Sequence, residues 1–142
     1  MKSLKSIFYW TSLAILLAIF IAPSPVLTGK CSGKSHNATF GSKRPGDKLL
    51  FKDHIVEKWR FLGFARREII FPLKGEKRKY IITEIKLTDR YKNGHGGCPE
   101  IKEGGVNNDH VKINIKSEFT RGFDFDIEIY GLKKSKARKL KY

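Results

Sequence analysis

Two segments in the C-terminal half alternate apolar and polar residues with a strict period of two. In "HVKINIKS", residues 110–117, Val111, Ile113 and Ile115 alternate with Lys112, Asn114 and Lys116. In "FDFDIEIY", residues 123–130, Phe123, Phe125, Ile127 and Ile129 alternate with Asp124, Asp126 and Glu128. A period of two places each set on one side of a pleated strand, whereas a helix would scatter both. Burying these seven apolar side chains contributes roughly 10–20 kcal/mol gross, at about 1.5–3 kcal/mol each. The chain is thereby committed to β-sheet with a covered face. Set antiparallel across "EFTRG", the two strands pair Lys112 with Glu128, Asn114 with Asp126 and Lys116 with Asp124, while Ile113 meets Ile127 and Ile115 meets Phe125. Charge and burial agree in that register, which predicts a hairpin. The acidic row then has a structural role. Residues at i, i+2 and i+4 of a strand stand about 7 Å apart and do not converge as a calcium loop requires.

Strand signals continue upstream. In "YIITEIKLTD" Ile81, Thr83, Ile85 and Leu87 share one face, and Tyr80, Ile82, Glu84 and Lys86 the other. "LLFKDHIV", "WRFLGFA" and "REIIFPL" are rich in β-branched and aromatic residues without a helical period, and read as short strands. Pro72 ends the third or places it at an edge. Before them, "CSGKSHNATFGSKRPGDK" reads as an extended lead-in with a turn at Pro45-Gly46. The expected fold is all-β, a single antiparallel β-sandwich-like domain of about six to eight strands after an N-terminal signal peptide. The expected divisions are 1–29 signal peptide, 30–48 lead-in, 49–131 β domain and 132–142 basic tail.

The signal reading rests on Lys2 and Lys5 followed by the uncharged "IFYWTSLAILLAIFIA". The rival is a signal anchor, since this run is only slightly shorter than the ~17–25 residues that span a bilayer. Ala22-Pro23-Ser24 fits a small-x-small cleavage rule, but Pro25 moves weight towards Thr28 or Gly29, so cleavage is expected between 22 and 30. Cleavage makes the protein secreted and extracellular, with no membrane span left. In that setting Cys31 and Cys98, the two cysteines of the chain, are expected to form a disulfide. An intermolecular bond, or Cys31 in a flexible N-terminal tail, is the alternative. Asn37-Ala38-Thr39 becomes a glycosylation sequon at Asn37.

The formal charge is +15, and six cations, Lys133, Lys134, Lys136, Arg138, Lys139 and Lys141, crowd the last ten residues. Two readings stand, a solvated tail and an electrostatic tether to an anionic surface. Glycosaminoglycans, lipid headgroups and shed nucleic acid are the polyanions an exported protein meets. Without interleaved aromatics the tail offers no base stacking, so specific nucleic-acid recognition is not expected.

The segment "YKNGHGGCPEIKEGG", residues 91–105, invites catalytic and phosphate-binding readings. It lacks the spacing of a P-loop. The dinucleotide fingerprint also fails, because Gly94 and Gly96 fit but Pro99 occupies the last glycine position. His95-x-x-Cys98 has no second ligand pair for zinc. A Cys98 nucleophile served by His95 or His110 conflicts with an oxidised cysteine. The segment reads as a long ordered connection between strands, with turn signals at Asn93-Gly94 and Gly104-Gly105 around "CPEIK". No enzyme activity, cofactor or metal is expected.

The run from "ITEIKLTD" through "NGHGGCPEIKEGG", "HVKINIKS" and "RGFDFDIEIYG", preceded by "SHNATFGSKRPGDKLL", resembles the insect multiprotein bridging factor 2 family. It is similar in particular to the probable salivary secreted peptides of ants and other Hymenoptera. The resemblance covers about Ser35 to Gly131, and Gly96, Gly97, Gly104 and Gly105 are its motif glycines. It implies a secreted, non-enzymatic insect protein of salivary, venom or haemolymph type that acts by binding an unknown protein or anionic surface ligand. It also implies an alternative, a transcriptional coactivator-like adaptor that bridges an activator and general transcription factors. Polyanion binding through the basic tail is a further alternative, drawn from the charge. The lysine-rich ending and Cys98 depart from the family pattern.

Overall fold

Alternating β-branched and aromatic residues bury one side of each strand, and two sheets meet over those sides. The computed structural model describes residues 27–28 and 31–139. The predicted signal peptide, apart from Leu27 and Thr28, and Lys141 lie outside them. The strands are β1 (Leu27–Thr28), β2 (Ala38–Gly41), β3 (Lys48–Glu57), β4 (Arg66–Phe71), β5 (Tyr80–Asp89), β6 (Cys98–Gly104), β7 (Val111–Lys116) and β8 (Phe123–Lys133), followed by helix α1 (Lys134–Lys139). One sheet has the order β1-β6-β7-β4, the other β2-β5-β8-β3, and every pairing is antiparallel. The all-β expectation holds.

The core is the inward set of β7 and β8, joined by Ile82, Ile85 and Leu87 of β5, Ile101 of β6 and Ile69 of β4. Val111, Ile113, Ile115, Phe123, Phe125, Ile127 and Ile129 are all essentially inaccessible, as their alternation predicts. Their partners differ from expectation. β7 and β8 do not form a hairpin: β7 lies between β6 and β4, and β8 between β5 and β3 in the opposite sheet. Residues 117–122 carry the chain from one sheet to the other, so the two apolar rows face each other across the sandwich. Lys112 pairs with Glu68 of β4 at 3.5 Å. Glu128 takes Lys52 at 3.4 Å, Asp126 takes Arg90 at 3.0 Å, and Asp124 takes His54 at 2.7 Å. In a chain with 29 Lys and Arg against 14 Asp and Glu, a carboxylate row finds complementary cations on many strands, so charge matching does not select the partner.

Four further readings change. A bulge between Ile82 and Glu84 shifts the phase of β5, placing Ile82 rather than Ile81 in the core. The lead-in contributes β2 to the edge of the second sheet. "WRFLGFA" is not a strand but the connection between β3 and β4. "CPEIK", read as part of a connection, is most of β6. Pro72 does follow a strand at a sheet edge, where its missing N–H costs no ladder bond.

The registers place four inter-sheet crossings at the same end of the sandwich: β1 to β2, β3 to β4, β5 to β6, and β7 to β8. The opposite end carries the fifth crossing, β4 to β5, the β2–β3 and β6–β7 turns and α1. The crossing end therefore gathers irregular, side-chain-rich chain into one place.

Candidate functional site

At the crossing end Asp89 closes β5 and is almost fully buried. Its carboxylate accepts hydrogen bonds from the His36 and Tyr91 backbone N–H groups, both at 2.9 Å, and its own N–H donates to Asn37 Oδ1 at 2.8 Å. Gly94 N–H donates to Lys34 O at 3.1 Å. Cys31 and Cys98 form a disulfide with Cα atoms 5.4 Å apart. The lead-in and the 90–97 crossing are thus tied together by a carboxylate, a backbone bond between loops and a covalent bridge.

The motif glycines have distinct places in this arrangement. A side chain on Gly96 would run into the Asp89 carboxylate, and one on Gly97 into Ile115 and Phe123. Gly104 and Gly105 adopt φ of +67° and +102° in the β6–β7 turn, where Gly105 N–H donates to His110 O at 2.9 Å. All four serve packing and turns, two at each end of the sandwich. Asn37 is exposed at the start of β2, and the Asp89 bond engages its Oδ1 and leaves Nδ2, the atom that carries a glycan, outside that bond.

Beside this knot the 58–65 and 117–122 crossings run against each other. Ser117 N–H donates to Ala65 O, Ser117 Oγ accepts from Ala65 N–H, and Thr120 N–H donates to Gly63 O, at 2.8–2.9 Å. Phe64 packs edge-on to Phe119 with ring centroids 5.4 Å apart, and Lys116 Nζ sits 4.0 Å over the Phe64 ring. Leu62 and Thr120 are held at positive φ. The result is a fastened loop whose apolar residues face outward: Trp59 is 66% exposed, Phe61 79% and Leu62 69%. A groove of about 400 Å³ runs along Trp59 towards Tyr91, His95 and Arg121.

At the opposite end Lys133 and Lys136 meet Lys48 and Tyr80 around a smaller cavity of about 100 Å³. Lys134 is drawn away from them: its Nζ lies 2.7 Å from Asp109 Oδ2. Hydrogen bonds from Lys134 and then His110, with Arg78 nearby, lower the Asp109 pKa to about 2. The part of the tail read as solvated begins as helix α1, which includes Arg138 and Lys139. The structure therefore gathers Lys133 and Lys136 but gives Lys134 a structural partner.

The outward loop was the residue set that strand-pattern reading missed. Its signal lay in the sequence: in "KWRFLGFARR" cations alternate with aromatics, so neither face of a strand would be uniformly apolar, and Gly63 interrupts the run.

The family model described as "Transcription activator MBF2" matches residues 40–131. The chain is 33% identical over 99 residues to a protein of Bombus ignitus named "Probable salivary secreted peptide", an alignment covering 70% of this chain and 72% of that protein. No solved structure matches the chain significantly. The matched segment spans β3 to β8 and includes the knot at Gly96, the β6–β7 turn and the outward loop. On this evidence the chain belongs to the MBF2 family, as its paired glycines and "RGFDFDIEIYG" ending suggest.

Proposed function

We propose that this is a secreted insect protein that acts outside the cell by binding rather than by catalysis, through the crossing end of the sandwich. The observation that carries the binding site is the outward aromatic loop, fastened by backbone hydrogen bonds and left exposed. Fixing such residues in place before contact lowers the entropic cost of binding. The disulfide and the name of the Bombus relative support the extracellular setting. The non-catalytic reading rests on the sequence, in which Cys98 is expected to be oxidised and the glycine-rich segment fits no phosphate-binding motif.

Two other readings have their own support. The description of the family model names transcription activation, which favours an adaptor for activators and general factors. The cavity among Lys48, Lys133 and Lys136 favours polyanion binding at the opposite end. Expression of the full chain in insect cells separates the compartments. Intact mass of protein from the medium, with and without reduction and deglycosylation, is expected to show a chain cleaved between 22 and 30, one disulfide and a glycan at Asn37. Retention of unprocessed chain in the nucleus would overturn the secreted reading in favour of the adaptor.

A further inference from the structure

We infer that the tip of the 58–65 loop docks onto an anionic phospholipid bilayer, an inference that rests on the reading of this end as a binding surface. Trp59, Phe61 and Leu62 point outward from a loop whose neighbours Phe64 and Ala65 anchor it to the 117–122 crossing. Such exposure is not a by-product of a loose connection. Ala65 is completely buried, and the Gly63 and Ala65 carbonyls both accept bonds from the facing crossing.

Charge identifies the partner. Lys58, Arg60, Arg66 and Arg121 surround the apolar tip, all exposed, and among the described residues none has a carboxylate within ion-pair distance. The carboxylates of the same segments are already engaged, Glu57 with Arg67 at 3.5 Å and Glu118 with His95 at 2.9 Å. The field at the tip is therefore positive, and the partner is anionic.

The aromatics decide which polyanion. A glycosaminoglycan needs the cations but has no use for Phe61 and Leu62. A bilayer uses both: apolar side chains enter the boundary between headgroups and acyl chains, Trp sits at headgroup depth, and Arg and Lys reach anionic headgroups along their flexible stems. In "KWRFLG" a cation neighbours each aromatic residue, so insertion and charge contact are made by the same few residues. A protein partner would be served better by a broad flat face than by a narrow tip carrying four uncompensated cations.

The test uses the protein purified from insect cells, with vesicles of phosphatidylcholine alone and with phosphatidylserine added. Trp59 is one of two tryptophans, and the other, Trp10, falls in the predicted signal segment, so emission of the processed protein reports the tip. Co-sedimentation with the anionic vesicles, a blue shift of Trp59 and weakening by salt are expected. Phe61→Ala with Leu62→Ala should weaken binding about 10- to 100-fold and remove the blue shift. Lys133→Glu with Lys136→Glu, at the other end, should leave the blue shift in place. All four side chains are exposed or surface-lining, and thermal unfolding verifies that each variant folds. Vesicle binding that survives F61A/L62A, or no binding of the folded protein to anionic vesicles, overturns the proposal. Retention on heparin that depends on Phe61 and Leu62, without vesicle binding, also overturns it and assigns the tip to a glycosaminoglycan. Whether the protein is recovered from medium or from cells reads the compartment separately, so failure of the lipid proposal is distinguishable from failure of the secreted reading.

Discussion

Asp89 and Asp109 use the same side chain in opposite ways. Asp89 is buried and satisfied by backbone N–H groups, so it organises chain: the lead-in, the end of β5 and the first residues of the 90–97 crossing all converge on it. Gly96 is required there because the carboxylate occupies the space a Cβ would need. The sequence marks Gly96 as unusual but does not connect it to Asp89 seven positions earlier, since that contact exists only when the crossing folds back. Asp109 is instead part-exposed and paired with Lys134, His110 and Arg78. Its pKa, lowered to about 2, lies below the ~3.9 of an unfolded aspartate. The unfolded chain therefore binds the proton more readily than the folded one. The Asp109 contribution is present in full above about pH 4 and is lost as pH falls through about 2. Asp109→Asn is expected to lower stability by about 1 kcal/mol at neutral pH. The difference from the unaltered protein should shrink on acidification through that window, as followed by urea unfolding at several pH values. A gap that stays constant down to pH 2 would remove the linkage.

At the scale of the element, period-two alternation identified β7 and β8 and their buried faces residue by residue. It did not identify their neighbours. Both strands bury one apolar face, and that condition is met equally by lying side by side in one sheet or face to face in two. The bulge in β5 was hidden for a related reason: Ile81, Ile82 and Thr83 all suit a strand, and only the ladder with β8 shows where the phase changes. The observed pairing makes a measurable claim. In a double-mutant cycle Lys112 should couple to Glu68 by about 0.2–1 kcal/mol, and to Glu128 by nothing measurable, because only the first pair shares a sheet. Coupling between Lys112 and Glu128 would restore the hairpin.

The whole molecule is held at its crossing end by the Cys31–Cys98 disulfide, which closes a loop with a sequence separation of 67. In the chain-entropy account such a loop contributes about 4 kcal/mol by restricting the unfolded chain. Cys31→Ser with Cys98→Ser should lower the unfolding free energy by about that amount while preserving the β-sheet circular dichroism. An unchanged denaturation midpoint would show that the Asp89 knot alone secures the lead-in. By itself the sequence determined the fold class, the buried faces of the regular strands, the cysteine pair and the family, because these depend on local periodicity, residue count and residue order. Only the tertiary structure decided which strands are neighbours, that Lys134 belongs to Asp109, and that Trp59, Phe61 and Leu62 face outward. Those outcomes depend on where four separate crossings meet, and no short segment carries that information.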